Sequence, residues 1–432
     1  MELSADRGMR QLRALADRQS QGPSPGISAF DYLVAPHRRL PRALWFWGIL
    51  AASALALGVF SAIRPLRSEG YFEVRHWLER WAAGENVYNL QLYVDYPPNA
   101  LILLRPLTWI PAEHGQLIWA LINVGITVGL AWVMVSVTDR LVGTHLPRRH
   151  RWAYALMLMA WAPARVNIWN GQTTSLILLL LALGIRFAGS RPILAGLALG
   201  LGMSKPHVAI AFVILAAFQR RWKALGIGVA TAISLALVYC ATVGIEPFEV
   251  LRQYIDVLVG VYGGPRFLQG EVDMRPLFVD ALGNYGIAEP LYLMTAAGIG
   301  AVLLHLTWRA RFDQSASISV FAAWLMWSLA VFPFRRYGLM VMAPSILQLL
   351  WRPGLRHSLR VISGAMVVLL LIDIPWLARH GLMRDAVPAA NVGASMAHYP
   401  SRFACLLLLC ISLVLLSRAA DEAPHREGAA AS

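Results

Sequence analysis

The chain has 432 residues, of which 57% are hydrophobic and 14% charged, with a formal net charge of +14. A soluble globular domain carries nearer ~25% charged residues, so a mean hydropathy of +0.54 excludes an ordinary soluble protein and points to a polytopic, all-α membrane protein. A pI of about 10.2 would suggest nucleic acid in a soluble chain, but here the basic excess lies in short loops between apolar runs, where it sets orientation in a bilayer and excludes a nucleic-acid partner.

Residues 1–42 are rich in Pro, Gly, Ser and Arg and read as a cytosolic, largely disordered tail with one short amphipathic stretch near Met9–Arg18. No apolar stretch follows early enough to be a cleaved signal peptide. Residues 43–418 form the membrane domain, and 419–432 a second disordered cytosolic tail. The long apolar runs are Leu44–Ile63, Leu117–Val137, Leu225–Val243, Pro290–Trp308, Ser317–Phe332, Tyr337–Leu350, Val361–Ile374 and Phe403–Ser417. Between Trp152 and Phe218 the pieces are shorter: Trp152–Ala162, Thr174–Ile185, Ile193–Met203 and Val208–Phe218. A clean span needs ~20 residues, so these are either two interrupted helices or four short ones.

Charge decides between them. Basic loops at Arg140–Arg151, Arg186–Arg191, Arg220–Lys223, Arg309–Arg311 and Arg352–Arg360 all reach the cytosol only if the four pieces are separate helices. The result is a bundle of about twelve transmembrane helices with both termini inside, matching the apolar runs in number. The outer side then receives 64–114, the turns at Arg165–Thr173 and Ser204–His207, the loop Gly244–Glu289, the junction Phe334–Arg336 and the loop Ala378–Arg402. Pro97–Pro111 is apolar but brief and is placed as an interfacial or re-entrant helix on that side. Long connections in compact bundles tend to carry function.

In the first outer loop, Val74, Trp77, Leu78 and Trp81 recur at helical spacing, with Glu73, His76, Glu79 and Arg80 on the other face. The pattern predicts an amphipathic helix lying at the membrane surface, ended by Gly84. Pro97-Pro98 opens the next helix, because proline is tolerated in a first turn. Glu69, Glu73 and Asp95 are candidate general bases where a membrane-embedded substrate meets water; any single one reads more readily as a solvated carboxylate or a partner of Arg67, Arg75 or Arg80. Lys205 stands between two apolar pieces, where a charge usually faces a cavity, a partner or an interface. Arg335 and Arg336 stand at an outer junction and suit phosphate or helix ends. Asn170 and Gln172 suit sugar hydroxyls or freed backbone groups. The loop Gly244–Glu289, with Tyr254, Tyr262 and Glu271 to Arg275, reads either as an acceptor site or as ordinary cover. Asp373 pairs with Arg379 on this reading. The cysteines Cys240, Cys405 and Cys410 lie in apolar runs and show no metal-ligand spacing.

The order of Gly84, Tyr88, Tyr96-Pro97-Pro98, Asn170-Gly171-Gln172 and Gly196 to Lys205-Pro206, over roughly residues 44–350, resembles glycosyltransferase family 87. The resemblance implies a GT-C-like fold with interfacial helices in the first outer loop and a polyprenyl-phosphate-sugar-dependent transferase, often a mannosyltransferase. It implies a carboxylate base in the first outer loop (Glu69, Glu73 or Asp95), donor phosphate binding by Lys205, Arg335 and Arg336, and sugar contacts from Asn170, Gln172 and Tyr96. It also implies membrane lipids and a glycolipid or glycan acceptor as partners, with the lipid-linked sugar as donor and no cofactor; no metal is indicated, since no ligand cluster stands out in the sequence, and metal dependence stays open. The setting is a bacterial cytoplasmic membrane, with the site facing the periplasm or exterior. Two positions depart from the family pattern. The usual Asp, about fourteen residues before the position of Gly84, falls at Gly70 or Tyr71, so Glu69 or Glu73 would substitute. The usual late His-Tyr pair is Arg336-Tyr337. The competing expectations are a lipid or solute transporter and a non-catalytic relative that binds a lipid carrier.

Overall fold

The computed structural model describes residues 69–89, 92–142, 148–262, 273–311, 316–332 and 406–419, with a few isolated positions besides. The expected spans at Leu44–Ile63, Tyr337–Leu350 and Val361–Ile374 lie outside the described residues, as do both tails, Arg335, Arg336 and the Asp373–Arg379 pair. Among the described residues the regular structure is entirely helical.

The first outer loop begins with α1 (Glu69–Ala82), a 3-10 turn (Val87–Asn89), α2 (Pro98–Leu104) and a second 3-10 turn (Arg105–Trp109). At 7 residues, or about 10 Å at 1.5 Å per residue, α2 is too short to cross a bilayer. Proline stands in its first turn as the sequence predicts. Then come α3 (Ala112–Val142), α4 (Arg148–Ala160), α5 (Ala162–Trp169), α6 (Thr174–Phe187), α7 (Pro192–Gly202), α8 (Pro206–Phe218) and α9 (Trp222–Val243). The chain continues through α10 (Pro247–Tyr262), α11 (Arg275–Leu282), α12 (Tyr285–Arg309), α13 (Ser317–Val331) and α14 (Leu406–Ala419). The four apolar pieces between 152 and 218 are thus separate helices, and the first of them breaks at Trp161 and continues as α5. Among the described residues α3, α9 and α12 are long and apolar enough to cross a membrane, and α5 with α6, bent by 116°, would make a fourth.

The helices alternate between two ends. At one end the C-terminus of α3, the N-terminus of α4, the C-terminus of α6 and the starts of α7 and α9 gather their arginines. Arg140 donates to the carbonyl of Arg186, the Arg186 Nε donates to Ser136 at 2.7 Å, and Arg151 pairs with buried Asp139 at 2.6 Å. The Arg221 guanidinium lies against Gly189. This is the clustering that the charge pattern predicts for the loops at Arg140–Arg151, Arg186–Arg191 and Arg220–Lys223. At the other end the start of α3, the α5–α6 turn, the α7–α8 junction and the end of α9 meet the first outer loop. Ser328 of α13 donates to the carbonyl of His207 there at 2.6 Å, and Tyr292 of α12 donates to the carbonyl of Val331.

Between the ends, α7 lies close to α9. Gly196 and Gly200 stand four residues apart on α7; a Cβ on Gly196 would strike Ile227 and the carbonyl of Ala224, and one on Gly200 the carbonyl of Gly228. Small residues at this spacing let helix backbones approach in the absence of a hydrophobic drive. The main apolar core runs through Leu130, Leu178, Phe212, Leu325 and Leu416. A second, aromatic core lies under the first outer loop.

That second core corrects the surface-helix expectation. Val74, Trp77, Leu78 and Trp81 of α1 are all buried within the protein. The Trp77 Nε1 donates to the carbonyl of Leu92 at 3.2 Å and the Trp81 Nε1 to Thr242 of α9 at 2.8 Å. Tryptophan next to lipid keeps its N–H in the headgroups; here both N–H groups are taken up by protein. Gly84 does end the helix, at φ +86.

Candidate active site

The end that carries the first outer loop contains a buried cation. Lys205 occupies the N-cap position of α8, between the end of α7 and Pro206, with backbone φ −129 and ψ 88. Its side chain does not snorkel to solvent: it is 7% exposed. Its Nζ donates to the Thr174 Oγ1 at 3.1 Å and stands 5.0 Å above the centre of the Tyr96 ring. Removing an ammonium from water is costly unless hydrogen bonds and a polarisable face replace the hydration.

Tyr96 is fixed from three directions. Its hydroxyl shares a 2.7 Å hydrogen bond with the Thr173 Oγ1, its carbonyl accepts from the Tyr88 hydroxyl at 2.7 Å, and its ring lies 5.9 Å from that of Trp77. Burial pushes the Tyr88 hydroxyl well above its ordinary pKa, helped by Tyr239, Tyr254 and, least, Asp95, so it stays a donor. With its hydroxyl bonded to Thr173, Tyr96 forms the floor under Lys205.

The three carboxylates have different surroundings. Asp95 directly precedes Tyr96 and is half-buried, and its carbonyl accepts from the Tyr254 hydroxyl of α10 at 3.4 Å. Glu73 lies on the exposed face of α1. Glu69 opens α1, and its side chain lies outside the described residues. Its neighbour Gly70 lies against the Gln172 side chain and the carbonyl of Asn170.

Asn170, Gly171 and Gln172 form the turn between α5 and α6. Gly171 adopts φ +63, the left-handed region that disfavours side chains, and lies against Tyr71 of α1. Its carbonyl accepts from the Trp119 Nε1 at 2.7 Å. The turn is therefore gripped by α1 on one side and α3 on the other, with Asn170 and Gln172 both half-exposed. The structure thus brings Asp95, Tyr96, Asn170, Gln172 and Lys205 to one end of the bundle, through Thr173 and Thr174.

Several contributors escape a reading of the sequence. Thr173 and Thr174 are buried and supply the hydroxyls that hold Tyr96 and Lys205. Beneath them the Asn167 Nδ2 donates to Ser175 at 2.8 Å, and Thr127 lies 3.3 Å from the same hydroxyl. Asn123 and Asn167 are fully buried, and their Oδ1 atoms have no hydrogen-bond partner. The available signal was the density of small polar residues inside apolar runs: Asn123 and Thr127 four apart, then Asn167, Thr173, Thr174 and Ser175. Among the described residues no group of three or more His, Cys, Asp or Glu is placed to hold a metal ion. Arg335 and Arg336 follow shortly after Phe332, whose ring lies 6.1 Å from that of His207 beside Lys205.

A profile of Glycosyltransferase family 87 matches residues 93–334. Among curated proteins, the chain is 28% identical over 295 residues to the polyprenol-phosphate-mannose-dependent alpha-(1-2)-phosphatidylinositol pentamannoside mannosyltransferase of Mycobacterium tuberculosis (strain CDC 1551 / Oshkosh), an overlap covering 65% of this chain and 64% of that relative. The chain thus spans just under two thirds of the length of the relative it matches. No solved structure matches it.

Proposed function

The chain belongs to glycosyltransferase family 87, and from that premise we propose that it is a membrane enzyme moving a sugar from a polyprenyl-phosphate carrier to a glycolipid or glycan acceptor. The sugar is mannose or another hexose or pentose. The reaction takes place on the periplasmic or exterior face of a bacterial cytoplasmic membrane, in a bundle of about twelve spans with residues 1–42 and 419–432 in the cytosol. The polyprenol-phosphate-mannose dependence in the mycobacterial relative's name supports the donor class. Since the profile match and that relative both point to transferases, the transporter reading is not favoured.

The observation that carries the proposal is the Lys205 ammonium, held inside the protein against Thr174 and Tyr96, the residue that follows Asp95. A base in the first outer loop removes the proton of an acceptor hydroxyl. The oxygen attacks the anomeric carbon, a new C–O bond forms with inversion, and the bond from that carbon to the phosphate oxygen breaks. The leaving polyprenyl phosphate gains negative charge, which Lys205 offsets as a point charge, assisted by Arg335 and Arg336. Asn170 and Gln172 contact sugar hydroxyls from the gripped turn. Asp95 is the preferred base because it is half-buried and adjoins the floor of Lys205; Glu69 and Glu73 are the alternatives nearest the family's usual position.

The test is transfer from radiolabelled polyprenyl-phosphate mannose by the purified protein, comparing wild type with Asp95→Asn, Glu69→Gln and Glu73→Gln. Loss of the base lowers the rate by about 10²–10⁴-fold, and only one of the three variants should show it. Full activity in all three would remove base catalysis from this loop. No transfer by wild type with any polyprenyl-phosphate sugar would leave a carrier-binding relative.

A further inference from the structure

The helix α10, which follows α9 after a left-handed turn at Gly244, presents three faces. The inner face packs on the first outer loop. Val250 is buried there, the Gln253 Oε1 accepts from the Asn86 Nδ2 at 2.7 Å, and the Tyr254 ring lies 5.7 Å from that of Tyr88. The opposite face is a stripe of Phe248, Leu251, Ile255 and Val259, exposed by 85, 50, 49 and 65%. Its spacing of i, i+3, i+7 and i+11 keeps the stripe in line along the helix. The flank between the two faces carries Glu249, Arg252 and Asp256. Arg252 pairs with Glu249 at 2.6 Å and with Asp256 at 2.8 Å, all of them exposed.

An exposed apolar stripe on the face opposite the protein contact is unexpected in a loop helix bathed by water. Single exposed apolar side chains need no explanation, but a contiguous line of four does. Its position suggests the cause. The preceding α9 is long and apolar enough to cross a membrane, and it too exposes apolar side chains, Val229, Ile233, Leu237 and Val238. Near its end, Tyr239 and Cys240 pack into the same aromatic core that receives Val250 and Tyr254. Both helices thus turn their inner sides to one core and their apolar outer sides away from it. The exposed stripe on α10 thus follows, directly along the chain, the exposed apolar side of a helix long and apolar enough to span a membrane.

We infer that α10 lies in the membrane interface, with Phe248, Leu251, Ile255 and Val259 seated at the headgroup–acyl boundary and the Glu249–Arg252–Asp256 flank turned to water. Interfacial helices bury an apolar face about 5–10 Å into that boundary while a charged face stays hydrated. The charges on the flank sum to −1 and are already paired within the helix, so apolar burial, rather than attraction to anionic lipid, holds it there. The contact also sets a depth. The Tyr254 hydroxyl donates to the carbonyl of Asp95 at 3.4 Å, so the helix ties the Asp95 loop to the level of the lipid headgroups. The inference does not depend on the sugar chemistry.

The experiment uses the full-length chain in phosphatidylcholine nanodiscs, on a background with Cys240→Ala, Cys405→Ala and Cys410→Ala. An environment-sensitive fluorophore is attached at Phe248→Cys, Ile255→Cys or Val259→Cys, and for comparison at Arg252→Cys or Asp256→Cys. Brominated acyl chains should quench the first three and aqueous iodide the last two, so that the ratio of lipid to aqueous quenching inverts between stripe and flank. Equal iodide quenching on both faces overturns the inference. So does a stripe shielded from both quenchers, because a second copy of the chain or another protein would then cover it. Should the cysteine-free background fail to fold, the unaltered protein is photolabelled with a phosphatidylcholine carrying a diazirine on its acyl chain. Adducts on the stripe residues of 247–262 support the inference; their absence, with adducts present on α9, overturns it.

Discussion

The two ends of the bundle handle charge in opposite ways. At the basic end, arginines from different helices neutralise helix termini and one another's surroundings: Arg140 on the Arg186 carbonyl, Arg186 on Ser136, Arg151 on Asp139. At the loop end, the surroundings are aromatic and neutral-polar, and Lys205 is held by a hydroxyl and a ring. The first arrangement staples helices together at that end. The second keeps an ammonium at a low-dielectric site, where an incoming anion gains more from it than it would in water. The same sign of charge is therefore met by carbonyl, hydroxyl and carboxylate oxygens at one end and by a hydroxyl and an aromatic ring at the other.

The largest test of that contrast is Lys205→Met beside Asp139→Ala. Losing one group that stabilises developing charge costs about 10²–10³-fold in rate, so Lys205→Met should lower transfer by about that much while leaving thermal unfolding in detergent close to wild type. Asp139→Ala should do the reverse. It strands Arg151 beside a buried position, and breaking such a pair costs about 3 kcal/mol, the low end of the usual range because Arg151 keeps some contact with solvent. Transfer per folded molecule should hold. If Lys205→Met mainly unfolds the protein and keeps its rate, the two ends are alike and both are structural.

How much of this was legible in the sequence differs between fold and site. The helices α3, α9 and α12 follow from long apolar runs, and α7 and α8 from Pro192 and Pro206 in their first turns, because proline starts but does not continue a helix. The basic end was legible because arginine in short loops has one dominant meaning in a membrane protein. The burial of α1 was not: an amphipathic stripe of Trp and Val reads the same whether it faces lipid or protein, and only Leu92 and Thr242 on the tryptophan N–H groups decide it. At the site, Lys205 stood out as a charge between apolar runs. Its setting did not, because Tyr96, Thr173, Thr174 and Lys205 meet only when the starts of α6 and α8 come together, and hydroxyls in apolar runs carry no periodic signal. The competition among Glu69, Glu73 and Asp95 was not settled there either: family spacing falls between Glu69 and Glu73 and away from Asp95, whereas burial separates Asp95 from Glu73.

A smaller effect sharpens the comparison from the middle of the bundle. Gly200→Leu places a side chain against the Gly228 carbonyl and Thr231. Backbone cannot retreat as a flexible side chain would, so forced repacking should cost about 1–3 kcal/mol, read as a lowered unfolding midpoint. Because α7 leads into Lys205, its displacement should also lower transfer, whereas Asp139→Ala, acting at the far end, should not. Equal losses of rate in the two variants would mean that the ends are mechanically coupled through the bundle.

The smallest effect is also the most specific to the loop end. Tyr88→Phe removes the donor from the Tyr96 carbonyl without changing the aromatic core, and leaving a buried carbonyl unpaired costs about 1–2 kcal/mol. The sign with pH follows from the direction of the shift. Burial holds the Tyr88 pKa above its unfolded value, so its contribution is whole below the unfolded pKa of about 10 and is lost as pH rises beyond it. Wild type should therefore lose stability more steeply than Tyr88→Phe above pH about 10, with the two curves parallel near neutrality. Tyr254, also raised chiefly by burial, keeps some alkaline slope in the variant, so the expected result is a shallower curve and not a flat one. Identical slopes would mean that Tyr88 ionises as freely in the folded protein as in the unfolded chain, and the loop end would lose the buried donor that fixes the floor of Lys205.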